Sequence, residues 1–205
     1  MADMVDRGLP SRRSIRLKAY DYGEVGAYFV TLCTRDRACL FGDIVDDAVR
    51  LSAYGQIVNE EWAYTELLRP HVVLDAYVVM PNHFHGIIVL TDNRGALKRI
   101  APHATTGDRA GGGQRDASAG DASGHCFRSP SQTLGAVVRG FKAAVTYGVN
   151  VSRQTPGAPI WQRNYYEHVI RDDAELERAC AYIANNPARW AEDRDNPSRS
   201  AGLGR

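Results

Sequence analysis

Two strongly apolar runs that meet at a Pro-Asn step constrain the fold of this chain more than any other feature. Residues 72–80 and 83–90 are both rich in β-branched and other large apolar residues, and Pro81 and Asn82 lie between them. Runs of this length and composition are typical of buried strands, and proline and asparagine are typical of the turns that join strands. The sequence therefore predicts an antiparallel β-hairpin.

Two histidines open the second of these strands. His83 and His85 are separated by one residue, so both imidazoles point to one face of the strand while Phe84 points to the other. Two imidazoles on a stiff strand can chelate one metal ion, and a hard divalent cation would also need oxygen donors. Histidines that face solvent or form hydrogen bonds in a crevice are the alternative. The four cysteines form no Cys-x-x-Cys pair, so a structural zinc site is not expected.

A predicted helix near the C-terminus supplies candidate oxygen donors. Asp172 or Asp173 can cap its N-terminus, and Pro187 is expected to end it. Its buried face is predicted from helical spacing to contain Leu176, Ala179, Cys180 and Ile183. Tyr182 and Asn186 lie four residues apart, so a phenol and an amide are presented together. A half-buried tyrosine with an asparagine end-cap is the alternative.

The other patterned segments alternate between strands and helices. The sequence predicts strands at residues 27–34, 49–51 and 167–171. It predicts a helix over 52–67 and an amphipathic helix around the apolar stripe at 134–145. A hairpin core with interspersed helices indicates an α+β layered fold.

Two segments depart from these patterns. Residues 92–130 contain seven glycines and only three large apolar side chains, so we expect a flexible insertion. Residues 191–205 are similarly polar and are expected to be a disordered tail.

Composition fits one globular domain, and local charge is more informative than net charge. The chain has 205 residues with 44% apolar content, enough for a single core, and its formal net charge is +1. Basic residues cluster in an N-terminal arm and on the 134–145 helix, where they could follow phosphates or simply face solvent. They are Arg12, Arg13 and Arg16, then Arg139 and Lys142. We expect no signal peptide, no membrane contact and a cytoplasmic location with reduced thiols.

Ordered motifs along the chain resemble those of the one-tyrosine HUH transposases, and most closely the REP-associated tyrosine transposases. They lie at residues 12–17, 26–31, 80–86, 134–142, 161–168 and 182–187. The resemblance implies a ferredoxin-like antiparallel β-sheet with helices packed on it and the histidines on a central strand. The expected organisation is a basic arm at 1–22, one catalytic domain at 23–190 that contains the insertion, and the tail.

The resemblance also implies a chemistry. Tyr182 corresponds to the nucleophile, and His83, His85 and Asn186 correspond to ligands of a divalent metal, Mg²⁺ or Mn²⁺. Such a metal would polarise a DNA phosphate for attack by the tyrosine, which implies a covalent 5′-phosphotyrosine and a free 3′-OH. The phosphodiester energy is conserved in that bond, so the strand can be rejoined without ATP.

The expected partner is single-stranded DNA with hairpin elements, bound by a monomer or a homodimer. Four residues are suited to stack on unpaired bases or hold phosphates, although hydrophobic packing is an equal alternative for them. They are Trp161, Arg163, Tyr165 and Tyr166. Two other functions stay open: a hairpin-DNA-binding module without catalysis, and a nickase of the replication-initiator or relaxase type.

Overall fold

The computed structural model describes residues 25–92 and 132–201, without the side chains of Ser200 and Ala201. The predicted basic arm, nearly all of the predicted insertion and the last four residues lie outside the described part of the chain. Within it the elements are β1 (Gly26–Cys33), a 3-10 turn (Arg35–Arg37), β2 (Gly42–Val45), β3 (Ala48–Leu51), α1 (Ala53–Leu67), β4 (Val72–Val79), β5 (His83–Leu90), α2 (Leu134–Ser152), β6 (Tyr166–Ile170), α3 (Asp173–Asn185), a 3-10 helix (Pro187–Glu192) and α4 (Pro197–Ala201).

A four-stranded antiparallel sheet in the order β4-β5-β1-β6 forms the centre of the fold. The predicted hairpin is β4 and β5, in which Val79 pairs with Phe84. On its other side β5 pairs with β1, where Thr31 lies opposite His85 and Cys33 lies opposite His83. The α+β fold with an antiparallel sheet and the histidines on a central strand is thus confirmed.

The side chains of β5 divide the protein into two layers. Helices α1 and α2 cover one face of the sheet, where the rings of Trp62 and Phe84 lie 4.6 Å apart and those of Phe84 and Phe141 lie 5.3 Å apart. Gly86 lies on this face, and a Cβ there would come within 2.7 Å of the Trp62 ring, so the close aromatic packing requires a glycine. Helix α3 covers the opposite face through a smaller apolar cluster.

Side-chain caps mark the starts of helices α1 and α3. The Ser52 hydroxyl accepts a hydrogen bond from the Gly55 amide at the start of α1. Of the two candidate caps of α3, Asp172 makes the bond, and its carboxylate accepts from the Glu175 amide at 2.7 Å. Helix α3 ends at Asn185 and Pro187 begins a 3-10 helix. The four predicted apolar residues of α3 lie in its packed face, and Ile183 is the most buried.

The predicted disorder of the tail is wrong for its first residues. The segment after Trp190 continues the 3-10 helix and then packs against the sheet end, where Asp195 and Asn196 are buried. Arg37 forms an ion pair with Asp195 at 3.1 Å, and the Asn82 amide donates to the Asp195 carbonyl at 2.6 Å. Polar composition predicted disorder because it offers little apolar burial, but here buried hydrogen bonds hold the segment.

Across the described residues, no helix is both long and apolar enough to span a membrane.

Candidate active site

The two histidines lie at the start of β5 and face the layer of α3. Both side chains are buried, His83 completely and His85 to all but 4%. Their ring centroids are 4.6 Å apart, so the two imidazoles are close enough to act on one ion or one substrate atom. This proximity follows from the strand, because residues i and i+2 share a face.

Asn82 sets the protonation pattern of His83. Both hydrogens of the Asn82 amide are used, since Nδ2 donates to the carbonyls of Arg37 at 3.0 Å and Asp195 at 2.6 Å. Its Oδ1 therefore faces His83 Nδ1 at 2.9 Å and accepts the hydrogen bond. With the proton at Nδ1, a neutral ring carries its lone pair at Nε2, which is the arrangement a metal ligand needs.

β1 orients His85. Thr31 lies directly across the strand pair, and its hydroxyl is 2.8 Å from His85 Nδ1. Phe29 stacks on the imidazole with ring centroids 5.3 Å apart. These contacts hold Nδ1 against the sheet and leave Nε2 facing Tyr182.

Burial keeps both imidazoles in the neutral form. It lowers the pKa of His83, although the nearby Asp193 and Asp195 carboxylates oppose the shift. It also lowers the pKa of His85 well below its ordinary value, and the neighbouring His83 and Arg194 add to this shift. Because only a neutral imidazole binds a metal, the two rings are ready for coordination at neutral pH.

The C-terminal end of α3 brings Tyr182 and Asn186 to the histidines. The Tyr182 hydroxyl is 3.5 Å from His85 Nε2, and the tyrosine ring meets Phe29 edge-on. Tyr182 is 45% exposed, whereas Asn186 is buried. Burial of its hydroxyl raises the pKa of Tyr182, while the Asn186 amide acts in the opposite direction. The phenol is therefore protonated at neutral pH and open to a substrate.

Two orphaned polar atoms indicate that these residues fit a metal ion. His83 Nε2 and Asn186 Oδ1 are buried and have no hydrogen-bond partner among the described residues. A buried polar atom without a partner is costly, and a lone pair on nitrogen or oxygen is what a cation satisfies. Within the same residues, no three His, Cys, Asp or Glu side chains are already grouped to hold a metal, so the amide oxygen of Asn186 belongs to the candidate set.

An open cleft of about 960 Å³ is lined in part by His85, Tyr182 and Asn186, whereas His83 is buried behind its walls. Its charged walls contain more arginines than acids, which the +1 net charge of the chain does not show. The arginines are Arg37, Arg178, Arg189, Arg194 and Arg199; the acids are Glu192, Asp193 and Asp195. The cleft can accept an extended anionic substrate next to Tyr182.

The residues predicted to contact DNA are distributed unevenly. Tyr165 and Tyr166 line the cleft, and Tyr166 is 47% exposed. Arg139 and Arg163 are exposed outside the cleft walls. The Lys142 ammonium donates to the Gln162 carbonyl at 2.7 Å, and burial lowers its pKa. Arg12, Arg13 and Arg16 lie outside the described residues.

Trp161 corrects the prediction of a base-stacking platform. Its ring is buried between Phe41 and Phe141, and its indole N–H donates to the Lys142 carbonyl at 3.2 Å. It is therefore part of the core and cannot stack on a base. Other residues of the site were not predicted from the sequence: Thr31, Asn82 and the arginines of the cleft. Asn82 carried a usable signal, because it directly precedes the histidines.

Comparisons with known proteins reveal both a relative and a shared fold. No family model matches the chain. A protein of Haemophilus influenzae, described as uncharacterized, is 36% identical over 195 residues, which are 94% of this chain and 97% of that protein. A solved REP-associated tyrosine transposase bound to a REP hairpin covers 88% of this chain and 82% of its own, with 19% identity and a TM-score of 0.50. This chain therefore has a transposase-like fold.

A second solved structure is more distant. It is a putative transposase from Deinococcus radiodurans, with 14% identity, a TM-score of 0.38 and coverage of 83% of this chain and 95% of its own. This similarity is too low to support a conclusion about this protein.

Proposed function

We propose that this protein cleaves and rejoins hairpin-bearing single-stranded DNA in a metal-dependent reaction. The chain belongs to the same family as the uncharacterized Haemophilus influenzae protein. One observation carries the proposal: the Tyr182 hydroxyl lies 3.5 Å from His85 beside the orphaned donor atoms of His83 and Asn186. The shared fold with a REP-associated tyrosine transposase bound to a REP hairpin supports it.

Tyr182 is the proposed nucleophile. Its phenolic oxygen attacks the phosphorus of a DNA phosphodiester, and the bond from phosphorus to the 3′ oxygen breaks. The products are a 5′-phosphotyrosine and a free 3′-OH. A 3′-OH that attacks this linkage restores the phosphodiester and releases the tyrosine, so rejoining needs no other energy source.

His83, His85 and Asn186 are the residues that would hold Mg²⁺ or Mn²⁺, which neutralises charge on the phosphoryl oxygens when bound. The imidazoles serve as neutral ligands because burial lowers the pKa of each. Asn82 and Thr31 act as positioning residues, since they bind the Nδ1 atoms and turn both Nε2 atoms into the site.

The cleft suits one unpaired strand. Arg178, Arg189 and Arg194 line it and can pair with successive phosphates, so binding should weaken as salt rises. The exposed ring of Tyr166 can stack only on a base that is already unpaired. A single tyrosine also performs one transesterification at a time, which fits cleavage of one strand.

A covalent adduct tests the proposal. The full chain is incubated with 3′-labelled single strands that carry a hairpin from the genomic neighbourhood of its gene, with Mg²⁺ or Mn²⁺. We expect a labelled protein band on a denaturing gel, no band in excess chelator, and little on the same sequence as a perfect duplex at the same salt concentration. Hairpin binding without any adduct would instead identify a binding module, and equal cleavage of both DNA forms would refute the substrate assignment.

A further inference from the structure

An aspartate from the C-terminal segment faces the orphaned nitrogen of His83. Asp193 directly follows the 3-10 helix that begins after Asn186, and its Oδ2 lies 3.9 Å from His83 Nε2. Its side chain is 12% exposed, so water has little access to the contact. The Trp190 ring lies 6.0 Å from the His83 ring and adds an apolar wall.

A direct hydrogen bond does not explain this contact. His83 carries its proton at Nδ1 and donates it in a hydrogen bond to Asn82 Oδ1, so Nε2 presents a lone pair to the carboxylate. The distance of 3.9 Å is also too long for a hydrogen bond. Two lone-pair donors that face each other in a buried site repel unless a cation lies between them.

The distance is compatible with one shared ion. Imidazole nitrogens and carboxylate oxygens bind small divalent metals at about 2.0–2.2 Å, so two donors on one ion are at most about 4.2–4.4 Å apart. The 3.9 Å separation of the His83 and Asp193 atoms falls inside that limit. The buried Asn186 Oδ1, which has no hydrogen-bond partner within residues 25–92 and 132–201, belongs to the same site.

We propose that Asp193 becomes a carboxylate ligand of the metal bound by His83, His85 and Asn186, a grouping that the two histidines and the carboxylate do not yet form in the metal-free arrangement of the described residues. This inference rests on the proposed function and deepens it. Two imidazoles and an amide carry no net charge, and an aspartate adds one negative charge and a hard oxygen. Such a ligand set favours Mg²⁺ or Mn²⁺ over the softer metals that imidazoles alone attract.

The surrounding contacts hold the carboxylate in a binding orientation. Asp193 Oδ1 accepts a hydrogen bond from the Asp195 amide at 2.7 Å, which leaves Oδ2 toward His83. Asp195 is fixed by its ion pair with Arg37 and by the Asn82 amide, which donates to its carbonyl. The amide that orients His83 therefore also holds the segment that carries Asp193.

Manganese binding tests this role without relying on cleavage. The affinity of the full chain for Mn²⁺ is measured by titration calorimetry and by the EPR signal of free Mn²⁺, for the unmodified protein, Asp193→Asn and Asp193→Ala. Loss of a residue that only supports a metal ligand weakens affinity by about 10–100-fold, so loss of a direct ligand should cost at least as much. We expect at least a tenfold loss for Asp193→Asn and a larger loss for Asp193→Ala, which keeps no oxygen. Glu177→Gln is the matched control and should bind Mn²⁺ normally, because Glu177 is exposed and lies outside the walls of the cleft.

The outcomes separate this inference from the proposed function. If the unmodified protein binds Mn²⁺ and Asp193→Asn binds it equally well, Asp193 is not a ligand, and the metal site of the proposed function stands. Equal Mn²⁺ affinity with faster cleavage would show that Asp193 obstructs the site, which also overturns the inference. If the unmodified protein binds no Mn²⁺, the metal-dependent function itself fails. Thermal unfolding of each metal-free variant checks that the fold is retained.

Discussion

On one face of β5, Phe84, Ile88 and Leu90 pack into the large core beneath α1 and α2. On the other face, His83 and His85 lie in a small layer beneath α3, where His83 Nε2 and Asn186 Oδ1 are buried without a hydrogen-bond partner in the described part of the chain. The first face buries apolar rings and gains stability from their packing. The second holds polar groups that cost stability and form the proposed active site. The comparison teaches that a single strand can serve both roles because its side chains alternate.

The helices of the two layers differ in the same way. Helix α2 buries a long apolar stripe, from Leu134 to Val149, and is anchored along its length. Helix α3 buries one residue fully, Ile183, and leaves Tyr182 half exposed. Substitutions in the large core should therefore change stability, whereas substitutions around α3 should change activity.

The largest effect is expected for Tyr182→Phe. The change removes one oxygen and keeps the ring, so adduct formation should fall by more than about 10³-fold while the melting temperature and hairpin affinity stay the same. Gel detection of the adduct and a binding titration measure the two effects. Tyr64→Phe, on the opposite layer and similarly exposed, should retain full activity. An adduct that survives in Tyr182→Phe would move the search to Tyr165 and Tyr166.

The candidate metal ligands should show graded losses. His83→Ala or His85→Ala should remove detectable cleavage and metal binding, because a buried imidazole has no replacement. Asn186→Ala should reduce cleavage less, since water can take the place of a neutral oxygen ligand. Cleavage rates at several Mg²⁺ and Mn²⁺ concentrations measure the series. Full activity of either histidine variant in excess chelator would refute the metal site.

Truncation of a large side chain should affect the cleavage rate in one layer but not in the other. Phe141→Ala should lower the free energy of unfolding by about 3–5 kcal/mol and leave the cleavage rate of the folded protein unchanged. Ile183→Ala should lower it by about 2–3 kcal/mol and also slow cleavage, because Ile183 holds the turn of α3 that carries Tyr182. Urea unfolding and rates under folded conditions give both values. Equal rate losses in the two variants would contradict the division.

Acidification should lower the free energy of unfolding because of the two buried histidines, His83 and His85. Because burial lowers the pKa of His83 and His85 in the folded state, the unfolded chain binds protons more readily below its ordinary histidine pKa of 6.5. The free energy of unfolding should therefore be constant above that pH and fall by about 1 kcal/mol per pH unit per histidine below it. Urea titrations between pH 8 and 5 test this. In a His83→Ala, His85→Ala double variant, the free energy of unfolding should fall less steeply as the pH is lowered, because neither histidine is present to titrate.

Much of the fold was predictable because its signals are local. The two-residue period of strands places the two histidines of the hairpin on one face. The 3.6-residue period of helices brings Tyr182 close to Asn186. Strand β2 was not predicted, since it is short and contains glycine and aspartate; its turn to β3 uses Asp46 and Asp47 at positive φ.

The sequence by itself determined which residues are polar inside an apolar strand and which tyrosine has an amide four residues later. Only the tertiary structure decided that the Asn82 side chain donates to the Asp195 carbonyl, that Trp161 is core rather than a stacking surface, and that Asp193 faces His83. These contacts join residues far apart in the chain, such as the 113 positions between Asn82 and Asp195. Periodicity describes one element at a time, whereas such contacts depend on how separate elements pack.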